Sequence, residues 1–224
     1  MRHDFSKMSL KEIGKTILGS FGLFIAGGVT LCGIVYGILS MTEKNYSYEI
    51  FKSKAELAYY STKDDLVKCL DTYIRSIAET SVMNGLAFID ISDKYNLDLR
   101  FMIAQAQIES AFATTGIAAK TNSAFNVMAY DGRSANDMIK KGHNYKHPDL
   151  SIEPYAKLLV NDYLVDGKTE MDMLVKYVNK SGKRYASSTT YEQSLRNAYN
   201  QLINDTNINA LYSEYQKYKL ICNK

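Results

Sequence analysis

The stretch that most restricts the fold is FMIAQAQIESAFA, residues 101–113. Its only polar side chains are Gln105, Gln107, Glu109 and Ser110. Phe101, Ala104, Ile108 and Phe112 recur at helical spacing, and Met102, Ile103, Ala106 and Ala111 fill most of the remaining circumference. A helix that is apolar nearly all round has no face to show to water, so it runs through a core made by other elements. One acid, Glu109, is left near its end. A carboxylate in that place is paired, exposed at the helix end, or held in a pocket that raises its pKa for chemistry.

A second run restricts the surroundings of the chain. From Thr16 to Thr42 there are 27 residues without a charge, where about 20 suffice to cross a bilayer. A cleavable signal peptide has an apolar core of only about 7–15 residues that ends in a small-residue cleavage site. YGILSM is a poor site of that kind, so the run reads as an uncleaved anchor. Arg2, Lys7, Lys11 and Lys15 precede it, opposed by Asp4 and Glu12, and Lys44, Lys52 and Lys54 follow. The positive charge on the N-terminal side predicts a cytoplasmic tail over 1–15 and a transmembrane anchor over 16–42 in the lipid bilayer. The C-terminal domain then lies outside the cytoplasm, in a single-pass membrane protein. Gly33 and Gly37 form a GxxxG with Gly27 and Gly28 close by. The spacing permits a helix–helix dimer or a larger envelope assembly, although glycine is also common in membrane helices for no such reason.

The formal charge of +3 and the absence of a long basic run argue against nucleic acid as a partner. Two prolines, no tryptophan and eighteen tyrosines describe a mostly helical chain that uses tyrosine as its large amphipathic residue. Cys32 lies in the apolar run, and Cys69 and Cys222 are far apart without metal-ligand spacing. Cys69 and Cys222 read as two unrelated thiols, with pairing outside the cytoplasm as the alternative. His143 and His147 have the i, i+4 spacing that binds metal on a helix, but Gly142 and Pro148 point to a loop, and no third ligand stands nearby. No cofactor and no metal is called for, and no serine or cysteine nucleophile arrangement is evident.

Residues 43–54 read as a short polar connector, and 43–80 together as connector and stalk. Leu57, Leu66, Leu70, Tyr73, Ile74 and Ile77 mark an amphipathic helix or two between Ala55 and Glu79. Another helix spans Ser81 to Tyr95, and the apolar helix covers Leu99 to Phe112. From Thr114 to Ser151 the periodicity is lost for 38 residues. A stretch of that length inside a compact domain is usually functional, and NVMAYDG within it suits a short strand and turn. Ser151 to Val165 is helical again, with Ser151 as N-cap and Glu153 and Pro154 in the first turn. Met173–Val178 and Tyr191–Ile203 are further helices, separated by NKSGKRYASSTT. The expected fold is mainly α, with a small loop-rich or β lobe inserted after the central helix.

AQAQIES, TNSAFNVM, SIEPYAKLL and GKRYASSTTYEQSLRNAYNQL follow one another in an order and spacing that resembles the glucosaminidase family of lysozyme-like peptidoglycan hydrolases. Members carry an AQxxLESGWG-like helix end, an NNLFGIK-like turn, an Sxxdyaxll helix and a GYATDPxYaxkl-like segment. The resemblance covers roughly residues 81–202 and implies a lysozyme-like glucosaminidase domain over 81–224. Three departures stand out. SGWG is replaced by Ser110–Ala111–Phe112–Ala113, which keeps an aromatic and loses both glycines. In the NNLFGIK-like turn, Asn122 and Phe125 match but the glycine and the lysine do not. In the YATDP-like segment, ATDP becomes Ala186–Ser187–Ser188–Thr189, which leaves Tyr185 and Ala186 as the match.

The resemblance implies that Glu109 is the catalytic general acid. Cleaving a glycosidic bond requires a proton for the departing oxygen, and a carboxylic acid holds one near neutral pH only where a low-dielectric setting raises its pKa. Ile108 and Phe112 are expected to supply that setting. The structural alternative is that Glu109 caps a neighbouring backbone group or pairs with a lysine such as Lys120. For the second group the irregular stretch offers Asp131, Asp137, Asp149 and Glu153. The family places its second acid upstream of the SIxxY helix, which favours Asp137 and Asp131, while Glu153 fits the helix start. A substrate-assisted route through the sugar's own N-acetyl group is also open. The family's YAT tyrosine lies over the sugar, which implies that role for Tyr185. Asn122, Phe125, Phe112, Tyr130 and Asp131 are the candidate substrate contacts, with Asn122 and Phe125 more suited to shaping the turn beside Glu109.

The expected function is a membrane-anchored hydrolase of peptidoglycan glycan strands, of the endo-β-N-acetylglucosaminidase type. The alternatives are a lytic transglycosylase, which also relies on one essential glutamate, and a non-catalytic wall-binding or structural component of an envelope-spanning or phage assembly.

Overall fold

The computed structural model describes residues 28–128 and 132–223. Residues 16–27 of the expected anchor, and the side chains of Gly33 and Gly37, lie outside what is described, and no helix among the described residues is long and apolar enough to cross a membrane. The described residues divide into two units between Leu57 and Ala58. The first helix among the described residues, α1, is Gly28–Ile77. The expected connector 43–54 is therefore helical, since it contains neither glycine nor proline to interrupt the backbone.

In the second unit the final turns of α1 bury Leu66, Leu70, Tyr73 and Ile74, the spacing of one helical face. α2, Gly85–Tyr95, starts where the Asn84 side chain accepts the Ala87 N–H at 3.0 Å, and ends at Asn96 in the left-handed region. Asp71 accepts the Gly85 N–H at 2.6 Å. A Cβ at Gly85 would stand 2.6 Å from the Leu70 Cβ, so only glycine lets α2 start against α1.

The apolar helix is α3, Leu99–Ser110, capped by the Asp98 carboxylate on the N–H groups of Arg100 and Phe101. Leu99 and every residue from Phe101 to Ala106 are buried, as a helix without a polar face requires. Later elements enclose it: α4 (Ala118–Thr121), α5 (Ala135–Lys140), α6 (Ile152–Leu158), α7 (Glu170–Met173), α8 (Tyr191–Asp205) and α9 (Ile208–Cys222). α3 packs most extensively against α8, and α2 packs on α6 and α3. Phe88 meets Phe112 and Phe125 edge-on, and Phe125 lies flat on Tyr155 with centroids 3.7 Å apart. Each such fully buried phenylalanine contributes about 1.5–3 kcal/mol relative to exposure.

The mainly α architecture is as the sequence predicts, but no strand occurs among the described residues. The 114–151 stretch holds α4, α5 and a 3-10 turn, Pro148–Ser151, in place of a β lobe. Asn126–Met128 forms turns, and the rest of the expected NVMAYDG strand, residues 129–131, lies outside the described residues. Ser151 does not cap α6 with its side chain. Its hydroxyl donates to the Pro148 carbonyl at 2.7 Å and accepts the Ala124 N–H at 3.0 Å, which ties the loop to the helix. α9 follows a sequence whose apolar residues do not separate onto one face. It is held by the buried Ile208, by Tyr215, which bonds Asp93 and stacks on Tyr59, and by a 2.6 Å ion pair of Lys219 with Asp93. Cys69 and Cys222 are both free thiols.

Candidate active site

Three consecutive residues without a glycine, Ala111, Phe112 and Ala113, end α3 in the left-handed region, at φ of 45, 55 and 64°. That backbone costs roughly 1–2 kcal/mol per residue for side chains with a Cβ, so the surroundings must hold it. Ala111 N–H donates to the Gln107 carbonyl at 2.9 Å and Phe112 N–H to that of Ala106 at 3.1 Å. Ala113 N–H donates to the Ser110 hydroxyl at 2.8 Å, and the Ser81 hydroxyl donates to the Phe112 carbonyl at 2.8 Å. Ser110 in turn donates to the Ala124 carbonyl at 2.6 Å, which draws the 122–128 loop against the end of α3.

The loop brings Asn126 to Glu109. Its amide donates to the Glu109 carbonyl at 2.8 Å and to Oε2 at 3.3 Å. Oε1 accepts from the hydroxyl of Tyr191, the first residue of α8. Behind this pair stands a wall of phenols. Gln105, one turn before Glu109 and fully buried, donates to the Tyr191 oxygen at 3.1 Å and accepts from Tyr155 and from Tyr177, the latter at 2.9 Å. Burial raises the Glu109 pKa, and the hydrogen bonds of Tyr191 and Asn126 partly oppose that rise. Among the described residues no lysine or arginine forms an ion pair with Glu109, so the alternative pairing with Lys120 is absent.

The segment between α7 and α8 folds back on itself. The Asn179 side chain accepts the N–H groups of Ser181 and Lys183, Gly182 takes φ 76°, and Tyr185 N–H donates to the Tyr177 carbonyl at 3.0 Å. The reversal stacks Tyr185 on Tyr177 at 4.6 Å and beside Tyr191 at 5.7 Å, with its hydroxyl on the Phe125 carbonyl at 3.0 Å.

A cleft of about 1120 Å³ opens in front of Glu109. Asn126, Val127, Met128, Gly132 and Arg133 line one part of it, and Asn179 and Lys183 to Ser187 another. The remainder comes from Ile117, just before α4, and from α6 and the wider π turn that continues it, Leu159–Tyr163, through Leu158, Asp162 and Tyr163. Such turns add a residue to the helix and recur at functional sites. Asp162 is the one other carboxylate lining the cleft among the described residues, and it pairs with Lys180 at 2.7 Å.

Of the residues expected from sequence, Glu109 and Tyr185 meet at this cleft. Asp137 does not line it. It forms a reciprocal cap with Ser134 at the start of α5, and those hydrogen bonds lower its pKa. Phe112 and Phe125 are fully buried and therefore support the site without reaching a sugar. Asn122 turns its amide to the Tyr145 carbonyl at 2.8 Å and serves the loop backbone. Asp149 bonds Asn84, and Glu153 bonds Lys94, Tyr95 and Lys157, which pull its pKa down to about 2. His147 caps the 3-10 turn through the Asp149 N–H. Tyr130 and Asp131 lie outside the described residues.

Sequence reasoning missed Gln105, Asn126, Asp162, Tyr177 and Tyr191. A signal existed for Tyr191 alone, as the last tyrosine of the GYATDPxYaxkl-like pattern. A glutamine in an apolar helix, or an aspartate in a helix, gives none.

A family model described as Glucosaminidase: Mannosyl-glycoprotein endo-beta-N-acetylglucosaminidase matches residues 85–204. That span is more than half of the chain and holds Glu109, the phenol wall and the whole cleft lining. No curated protein and no solved structure matches the chain significantly.

Proposed function

The chain belongs to the glucosaminidase family and is a glycoside hydrolase, and from that premise we propose that it cleaves the glycan strands of peptidoglycan with Glu109 as general acid. The observation that carries this reading is the setting of one carboxyl group: Glu109 faces a cleft wide enough for a glycan, and burial on its other sides raises its pKa. A carboxyl group so placed keeps its proton where an exposed one has lost it, and can deliver it to a glycosidic oxygen. Tyr185 presents its ring on the cleft wall with the hydroxyl turned inward, a flat surface for a sugar to lie on. Asp162 is the carboxylate that we assign to the second role, in preference to Asp137, because it lines the same cleft. If Asp162→Asn leaves turnover intact, the sugar's acetamido group fills that role instead.

We further propose that residues 16–42 anchor the enzyme in the bilayer with the catalytic domain outside, which would confine cutting to wall close to the membrane. The uncharged run and the basic residues before it support this. Fractionation of cells expressing the full chain tests it, since recovery without detergent in the soluble fraction would refute the anchor.

For the chemistry, the full chain in detergent is incubated with purified peptidoglycan beside Glu109→Gln, and the products are resolved by mass spectrometry. Reducing N-acetylglucosamine ends from the wild type alone are expected, with the variant slower by about 10²–10⁴-fold. Anhydro ends would make the enzyme a transglycosylase, and the absence of products from a folded, wall-bound protein would make it a binding module.

A further inference from the structure

The phenol wall holds more hydrogen-bonding groups than packing alone requires, and their arrangement has a direction. Gln105 Oε1 accepts two protons, from Tyr155 and Tyr177, which is the full capacity of a carbonyl oxygen. The carboxamide is thereby oriented, and its nitrogen can only donate. It donates to the Tyr191 oxygen, so the single Tyr191 proton is left for Glu109 Oε1. Tyr191 is not part of the cleft lining, whereas Asn126, which meets Oε2, is. One oxygen of the carboxyl group is therefore tied to the wall and the other adjoins the cleft.

We propose that Gln105 and Tyr191 are positioning residues that keep Glu109 Oε1 a permanent acceptor, so that the proton to be transferred resides on Oε2, at the cleft. The proposal rests on the reading of Glu109 as general acid. A carboxylic acid free to rotate would place its proton on the wall side part of the time, where no glycosidic oxygen can reach it. The relay of three phenols and one amide removes that option without a charge. Tyr191 faces Glu109 from α8, Tyr177 and Tyr185 from the reversal between α7 and α8, and Tyr155 from α6. Burial holds all four phenols well above their ordinary pKa, so they stay neutral while Glu109 titrates. On the open side Arg133, Asp162, Lys183 and Arg184 line the cleft, and Arg184 is paired with Glu192 at 2.5 Å.

The test is Tyr191→Phe in the full chain, which keeps the ring and removes the hydroxyl. The Tyr191 hydrogen bond favours the carboxylate, so its loss raises the pKa of the acid. The alkaline limb of the kcat/KM profile is expected to move up by about one pH unit, with kcat reduced and KM unchanged. The Glu109 carboxyl carbon, labelled with 13C and identified by its absence from Glu109→Gln, should titrate at the same higher pH. Gln105→Met should move both readouts in the same direction by a smaller amount. If Tyr191→Phe lowers stability while the limb and the resonance stay where they are, the two residues are structural only and the proposal is overturned. Should Glu109→Gln remain active, the general-acid reading fails, and the resonance still decides whether the wall orients that carboxyl group.

Discussion

Glu109 sits between two walls of different character. Behind it, α3, α6 and α8 bring together side chains from across the chain, and each of the polar groups of Gln105 meets a partner. In front of it, the described part of the cleft is formed largely by segments between helices, 126–128, 132–133 and 179–187, whose hydrogen bonds are mostly local, such as those of Asn179 to Ser181 and Lys183 and of Arg133 to the Met128 carbonyl. The difference separates two tasks. The packed wall sets the orientation and acidity of one carboxyl group, which demands rigidity. The loop wall shapes what is admitted, and loops can vary in sequence without disturbing the core.

The largest expected effect is on the packed side. Phe125→Ala removes a ring stacked on Tyr155 and packed edge-on to Phe88, and should cost about 3–5 kcal/mol of stability, read from denaturant unfolding. A small loss there would mean that the two walls do not differ in rigidity as described.

Next, Glu109 and Glu153, a carboxylate outside the cleft, should respond to pH in opposite ways. Glu109 has a raised pKa, so the folded protein holds that proton longer than the unfolded chain, and stability falls as pH rises from about 4.5 through the folded value. Glu153, lowered to about 2, contributes stability above 4.5 that is lost as pH falls toward 2. Glu109→Gln should remove the first dependence and leave the second, as thermal melts between pH 3 and 8 would show. A Glu109→Gln curve parallel to the wild type would show that burial does not govern this carboxyl group.

The smallest expected effect is a gain. Ala111→Gly relieves a left-handed residue at the end of α3, and the relief is offset in part by the freedom glycine adds to the unfolded chain. The net is a stabilisation of up to about 1 kcal/mol. Unchanged or lower stability would mean that the surrounding hydrogen bonds already make alanine comfortable there.

Much of this organisation is legible in the residues themselves. The burial of α3 follows from a helix with no polar face, and the end of α1 from its spaced leucines. The place of Glu109 followed from an acid out of keeping with its neighbours, together with four ordered motifs. The remainder was hidden for definite reasons. Asp137 looks catalytic by position, but a serine three residues before it makes a local cap, and local bonds outcompete a distant site. The β lobe was expected from one short apolar run, which short helices and turns replace. Gln105 and Asp162 carry no sequence signal because their roles depend on partners 50, 72 and 86 residues away for Gln105, and on a cleft that no single segment forms.

The sequence by itself determined that a helical domain would enclose residues 99–110, that one acid would stand at the end of that helix, and that the chain would belong with glycan-cleaving enzymes. These rest on hydrophobic periodicity and on motif order, both of which are properties of the chain read along its length. Only the tertiary structure decided which oxygen of Glu109 faces the cleft, which tyrosines stand behind it, and which other carboxylate shares the space. Hydrogen bonds and desolvation act over a few ångströms regardless of separation along the chain, so these facts exist only once α3, α6 and α8 have come together.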